Sequence, residues 1–119
     1  MMNPPDMIEI RRLEVSTRIG VPDAERATPQ TLLVTLRMAP SQGFDGLADD
    51  ISRTLDYAVV ACEIAALARS RPRHLLETLA LEIADWLLTR HPLAWVGITL
   101  EKHVLPNTEC VAVQLERRR

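Results

Sequence analysis

The succession of hydrophobic periods along the chain constrains its fold more than any other feature. Two segments have apolar residues at every second position, two have them every three to four, and two more return to alternation. From Met7 to Ile19 the apolar residues run Ile8, Ile10, Leu13, Val15. The phase skip at Arg11-Arg12 is what a β-bulge produces when one strand of a pair carries an extra residue. Thr31 to Met38 alternates cleanly, with Leu32, Val34, Leu36 and Met38 on one face and Leu33, Thr35 and Arg37 on the other. Between these strands, Gly20-Val21-Pro22-Asp23-Ala24-Glu25-Arg26 has turn residues but too much chain for a tight hairpin, and reads as an ordered functional loop.

After a polar loop from Pro40 to Leu55, Asp56 is placed to cap a helix. Its apolar residues Tyr57, Val60, Ala61, Ile64, Leu67 and Ala68 share one helical face. Ser70-Arg71-Pro72-Arg73 interrupts the pattern. A second helix is predicted from about His74 to Arg90, with Leu76, Leu79, Ala80, Ile83 and Leu87 on its stripe, and His91-Pro92 ends it. Strands follow at Trp95 to Lys102, with Val96, Ile98 and Leu100 inward, and at Glu109 to Glu116, with Val111, Val113 and Leu115 inward. The expected class is therefore α+β, a four-stranded antiparallel sheet with two helices on one face in the order ββααββ. Thr35, Arg37, Thr99, Gln114 and Glu116 fall on the opposite face, and the sheet edges have no partner within the chain. Pairing between subunits is the natural remedy.

A chain of 119 residues, 47% hydrophobic and 25% charged, suits a single compact domain spanning 1–119. A formal net charge of −2 gives no electrostatic reason to expect nucleic acid or an anionic membrane surface as partner. Cys62 and Cys110 lack CxxC spacing and read as reduced core residues rather than a disulfide or a zinc ribbon. The segment MMNPPDMIEI has neither the basic flank nor the apolar run of a secretory signal, and no stretch of about 18 apolar residues is present to span a bilayer. A cytoplasmic protein is expected. His74, His91 and His103 show no metal-ligand spacing, and GxGxxG, GxxxxGK[ST] and GxSxG motifs are missing, so metal and dinucleotide chemistry are not expected.

Four side chains could carry chemistry: Glu25, Tyr57, Glu77 and Lys102. Each also has a plain structural reading. Glu25 suits a solvated loop charge and Tyr57 a core position, while Lys102 suits a lysine guarding a strand edge. Glu77 has Leu81, Ala84 and Leu88 along its helical flank, so it should want a hydrogen-bonding partner; the helix dipole alone supplies only about 0.3 to 1 kcal/mol. Arg71 and Arg73 could hold a phosphate ahead of the second helix, but an exposed turn is the simpler expectation.

Four segments, "IEIRRLEVSTRIGVPDAERATPQTLLVTL", "DDISRTLDYAVV", "LLETLALEIADWLL" and "VGITLEKH", together resemble the dihydroneopterin aldolase family over almost the whole chain. The most specific marks are the loop IGV-x-x-x-ER-x-x-x-Q, the helix starts around Tyr57 and LLE-x-LA, and the late-strand lysine. The resemblance implies the tunnelling fold, in which sheets of neighbouring subunits join into a barrel. It also implies a homo-oligomer, tetramer or octamer, with sites between subunits and a pterin substrate. By the same resemblance Glu77 would hold the pterin amino and N3 donors, and the Leu76 backbone amide the ring oxygen. Leu55 and Tyr57 would form a wall contributed by a neighbouring subunit, Glu25 would lie near the substrate's side chain, and Lys102 would be the catalytic acid and base, with Tyr57 assisting. The implied reaction is retro-aldol cleavage of 7,8-dihydroneopterin, without metal or cofactor. Sister readings are epimerisation of dihydroneopterin triphosphate and a pterin-binding homologue without turnover. The chain departs from the family pattern after the lysine, where His103 stands in place of the usual proline, and at Pro22 in the loop before Glu25.

Overall fold

The computed structural model describes residues 5–119. Strands β1 (Ile8–Thr17), β2 (Gln30–Pro40), β3 (Leu93–Lys102) and β4 (Val111–Arg118) form one antiparallel sheet in the order β1-β2-β3-β4. A four-residue helix, α1 (Asp23–Arg26), lies in the loop between β1 and β2. A 3₁₀ turn at Ile51–Arg53 leads into α2 (Tyr57–Arg69), and α3 (Leu76–Arg90) follows. Both longer helices cover one face of the sheet, α2 over β1 and α3 over β3 and β4. The expected class, element order and antiparallel pairing are the observed ones.

The phase skip in β1 is a bulge. Ile10 pairs with Leu36 and Leu13 with Val34, so β1 uses one more residue than β2, and Arg12 takes the left-handed φ of 53°. The bulge turns Arg12 across the outer face, where its N–H donates to Thr35 Oγ1 and its guanidinium pairs with Glu101 at 2.9 Å. That contact is the main cause holding the Glu101 carboxyl below the usual carboxylate range, against its own burial.

Alternation places Leu32, Val34, Leu36 and Met38 of β2 and Val96, Ile98 and Leu100 of β3 under the helices, all fully buried. Val60, Ile64 and Ala68 of α2 and Leu79, Ile83 and Leu87 of α3 close on them. Each such branched side chain contributes roughly 1.5–3 kcal/mol of burial. The polar face carries Thr35, Thr99 and Gln114 in one row and Arg37, Gly97 and Glu116 in the next. Gly97 leaves room for Arg37 to stack on Trp95 at 5.4 Å, since a Cβ there would lie 2.7 Å from both side chains. On the helix side, Arg90 covers Trp86 at 3.7 Å.

Asp56 caps α2 as expected, accepting from the N–H groups of Ala58 and Val59. The C-terminus of α2 is capped by a buried arginine. Arg73, 2% exposed, donates to the carbonyls of Leu67 and Ala68 and pairs with Glu82 at 2.5 Å, so the expectation of an exposed turn fails at this residue. Cys62 is exposed and Cys110 half-buried, so neither is the core residue expected. Among the described residues no helix is long and apolar enough to cross a membrane.

Candidate functional site

Lys102 continues the inward series Val96, Ile98, Leu100 one step beyond the apolar core, and the loop after β1 folds over it. This puts an ammonium in a nearly closed position. The residue is 8% exposed, its Nζ donates to Glu25 Oε2 at 2.5 Å, and it lies 3.4 Å from the carbonyl of Ile19. Glu25 is neither a freely solvated loop charge nor distant from the lysine, although 77 positions separate them in sequence. The edge-guarding reading of Lys102 fails for the same reason, because a guarding lysine extends into water.

The loop holding Glu25 is pinned at several points. Helix α1 supplies one turn, Gln30 Nε2 donates to the carbonyls of Ile19 at 2.7 Å and Glu25 at 2.8 Å, and Arg26 donates to the carbonyls of Gly20 and Val21 and pairs with Asp23. Gly20 is required by contact: at φ 148°, a Cβ would lie 1.9 Å from Glu25 Oε1. Four-residue helices carry no hydrophobic period, so α1 leaves no trace in the sequence pattern. Of the pins, only Gln30 and Arg26 could be suspected beforehand, as polar residues fixed in the loop motif.

The start of α3 is tied to the same place. Gly20 N–H donates to the carbonyl of Arg73, and Arg73 N–H to that of Arg18, which forms a parallel bridge between Ile19 and Arg73. Leu76 and Glu77 follow within one helical turn. The N-terminus of α3 has no side-chain cap, so its first-turn amides lack a side-chain acceptor. Glu77 is exposed rather than buried against apolar neighbours, and among the described residues it has no hydrogen-bonded or ionic partner. Along its flank Leu81 is 48% exposed, while Ala84 is buried and Leu88 half-buried.

Leu55 and Tyr57 lie elsewhere. The far end of α2, at Ala68, is next to Thr17 and Arg73. The helical rise of about 1.5 Å per residue from Tyr57 to Ala68 therefore places Tyr57 about 16 Å from that end. Leu55 is buried in this chain's own core, beside a cleft of about 400 Å³ that also touches Pro40 and Pro92, at the opposite end of β3 from Lys102. Tyr57 is 61% exposed and does not join the core stripe predicted for it. The chain thus joins Lys102 to Glu25 at one end, with the start of α3 tied to the same loop through the Ile19–Arg73 bridge, and presents Tyr57 to solvent at the other.

Arg71 and Arg73 are both bound to Glu82, at 2.6 and 2.5 Å. Burial alone would raise the Glu82 carboxyl, but the hydrogen bonds and charge of Arg73 and Arg71 outweigh it and hold the group below the usual carboxylate range. Among the described residues no three His, Cys, Asp or Glu side chains gather in a metal-ligating cluster.

The family model described as dihydroneopterin aldolase matches residues 8–116. The dihydroneopterin aldolase of Haemophilus influenzae is 36% identical over 97 residues, covering 82% of this chain and 82% of that protein. Among solved structures, the FolB protein of Vibrio cholerae superposes with a TM-score of 0.92 at 34% identity, covering 98% of this chain and all of the other. The Escherichia coli dihydroneopterin aldolase in complex with neopterin superposes with a TM-score of 0.87 at 32% identity, covering 94% of this chain and 98% of that one.

Proposed function

The chain belongs to the dihydroneopterin aldolase family, and from that premise we propose how its own residues perform the family's lyase reaction on dihydroneopterin. The observation that supports the assignment of roles most directly is the enclosed Lys102–Glu25 pair at 2.5 Å.

In 7,8-dihydroneopterin the C6=N5 imine already lies next to C1′ and can accept electrons, so no covalent lysine adduct is needed. The 2′-hydroxyl gives its proton to the Lys102–Glu25 pair, directly or through a water held between them. The electrons of the C1′–C2′ bond pass into the imine, and C2′ leaves as the aldehyde carbon of glycolaldehyde. The pair then returns the proton to C1′, giving 6-hydroxymethyl-7,8-dihydropterin. Recombination through the other face of the aldehyde, before release, inverts C2′.

Binding falls to the start of α3. The exposed Glu77 carboxylate accepts from the pterin 2-amino group and N3, a planar donor pair suited to a carboxylate fork. The uncapped Leu76 amide donates to the ring oxygen. Tyr57, with Leu55 buried behind it, contributes from a neighbouring subunit: both lie at the wrong end of their own chain, and Tyr57 is free to reach across. Edges β1 and β4 are open in the single chain, and joining them between subunits closes the sheets into a barrel, as a tetramer or a pair of tetramers. A cytoplasmic setting suits the free cysteines Cys62 and Cys110. Epimerisation of the triphosphate is the weaker reading, because Arg71 and Arg73, its candidate phosphate ligands, are both engaged by Glu82.

Comparing Lys102→Met with Glu77→Leu separates chemistry from binding. Lys102→Met should leave affinity for 6-hydroxymethylpterin intact and slow single-turnover cleavage by roughly 10² to 10⁴. Glu77→Leu removes a charge-assisted pair worth about 1.5–3 kcal/mol, so affinity should fall roughly ten- to a hundredfold. Parent-rate cleavage by Lys102→Met, or unchanged binding by Glu77→Leu, would defeat the assignment of that residue.

A further inference from the structure

We infer that Gln30 is a positioning residue for the acid-base pair, acting on Lys102 through both of the oxygens that face its ammonium. The inference rests on the assignment of Lys102 and Glu25 as the proton-transfer groups. The Gln30 carboxamide nitrogen donates to two main-chain carbonyls, Ile19 at 2.7 Å and Glu25 at 2.8 Å. Both partners are acceptors, so only the NH₂ end of the side chain fits there, and its two hydrogens are both used.

These two carbonyls open and close the loop that carries the Glu25 carboxylate. Ile19 O is also the carbonyl 3.4 Å from Lys102 Nζ, and Glu25 supplies the carboxylate 2.5 Å from it. Gln30 therefore fixes one acceptor of Lys102 by direct contact and the other through that residue's own backbone. Side chains that are shorter or that lack a paired donor do not do both. Asparagine is one methylene too short, glutamate would set a carboxylate oxygen against two carbonyl oxygens, and methionine fills the space without donating. Gln30 itself begins β2, paired with Thr17 of β1, so the clamp is anchored on the sheet rather than on the loop it holds.

The competing reading is a staple that serves only folding. The two differ in a measurement that general stability does not affect. If Gln30 acts through the pair, its loss should matter only while the pair works. Gln30→Met and Gln30→Glu are made in the parent chain and in Lys102→Met, with single-turnover cleavage of dihydroneopterin and binding of 6-hydroxymethylpterin measured in each. The expected result is a rate loss of roughly ten- to a hundredfold in the parent, the scale of a 1 Å misplacement, with pterin affinity within about twofold. In Lys102→Met the same substitutions should change the residual rate less than about twofold.

Equal fold losses in both backgrounds would overturn the inference, as would a parent rate in Gln30→Glu, pterin affinity falling in step with rate, or failure of both variants to fold. The Lys102→Met background, measured first, keeps the two readings apart. A parent rate there removes the assignment of the pair itself, whereas a large loss there combined with additive Gln30 effects removes only the clamp.

Discussion

Gly20→Ala puts a single methyl group where the structure has room for none. The new Cβ would lie 1.9 Å from Glu25 Oε1, and since real contacts of this kind essentially never fall below 3.0 Å, the carboxylate must retreat by at least about 1.1 Å. The obstacle is the end of a flexible side chain, so the clash is relieved by swinging Glu25 away from Lys102. Parting this largely enclosed pair leaves the Lys102 ammonium without its carboxylate, which costs about 3–5 kcal/mol. Holding alanine at φ 148° adds roughly 1–3 kcal/mol of backbone strain. Catalysis should suffer as well. A displacement of this size at the proton-transfer pair corresponds to a rate loss of about a hundredfold, while the start of α3, and with it pterin affinity, stays in place. Gly46→Ala is the control, because its φ of 77° is also left-handed but a Cβ there meets nothing within 4 Å. It should lose about 1–2 kcal/mol of stability and keep the parent rate. Single-turnover kinetics and denaturant unfolding of both variants report the two quantities separately. A folded Gly20→Ala protein that cleaves dihydroneopterin as fast as the parent would refute the need for Glu25 to sit against Lys102.

Three further outcomes are expected. Mixing inactive Lys102→Met with inactive Tyr57→Ala subunits, after dissociation and reassembly, should restore activity to about a quarter of the sites, and sedimentation should show tetramer or larger; a fully active monomer would exclude shared sites. Glu82→Gln should cost about 1.5–3 kcal/mol near neutral pH, measured by denaturant unfolding. Because the folded Glu82 carboxyl lies below its unfolded value, this contribution is complete above the ordinary carboxylate range and fades as pH falls through the folded value, so the two proteins should converge in acid. Dialysis against EDTA should leave turnover unchanged, as the histidine and cysteine spacings suggest; loss of activity that zinc restored would remove Lys102 as the acid-base group.

Long apolar periods made the sheet and helices legible, and the features that escaped notice have no period. The bulge at Arg11-Arg12 was visible because one extra residue flips every later side chain of its strand. The last strand runs two residues beyond its expected end because Arg117 and Arg118 pair with Val96 and Trp95 without any hydrophobic signal of their own. Tyr57 fits the spacing of the α2 stripe, but periodicity gives an angle around the helix axis and not a depth, and the first residue of a helix can lie past the layer it points toward. The burial of Arg73 depends on Glu82 and on the carbonyls at the end of α2, and the meeting of Glu25 with Lys102 depends on how a loop returns across the sheet. Sequence spacing encodes neither, so the pairing of those two residues was accessible only through the family resemblance.

The two tryptophans divide the molecule optically. Trp86 lies beneath Arg90 on the helix side of the sheet, and Trp95 beneath Arg37 on the polar side, in the notch left by Gly97. The chain thus carries one native fluorophore on each side of its sheet. Packing of the helices governs emission from Trp86, while Trp95 responds to whatever faces the polar surface. Replacing either with phenylalanine would turn the other into a single-site reporter, so that loosening of the helix layer and opening of the polar side could be timed separately in one stopped-flow experiment without an added dye.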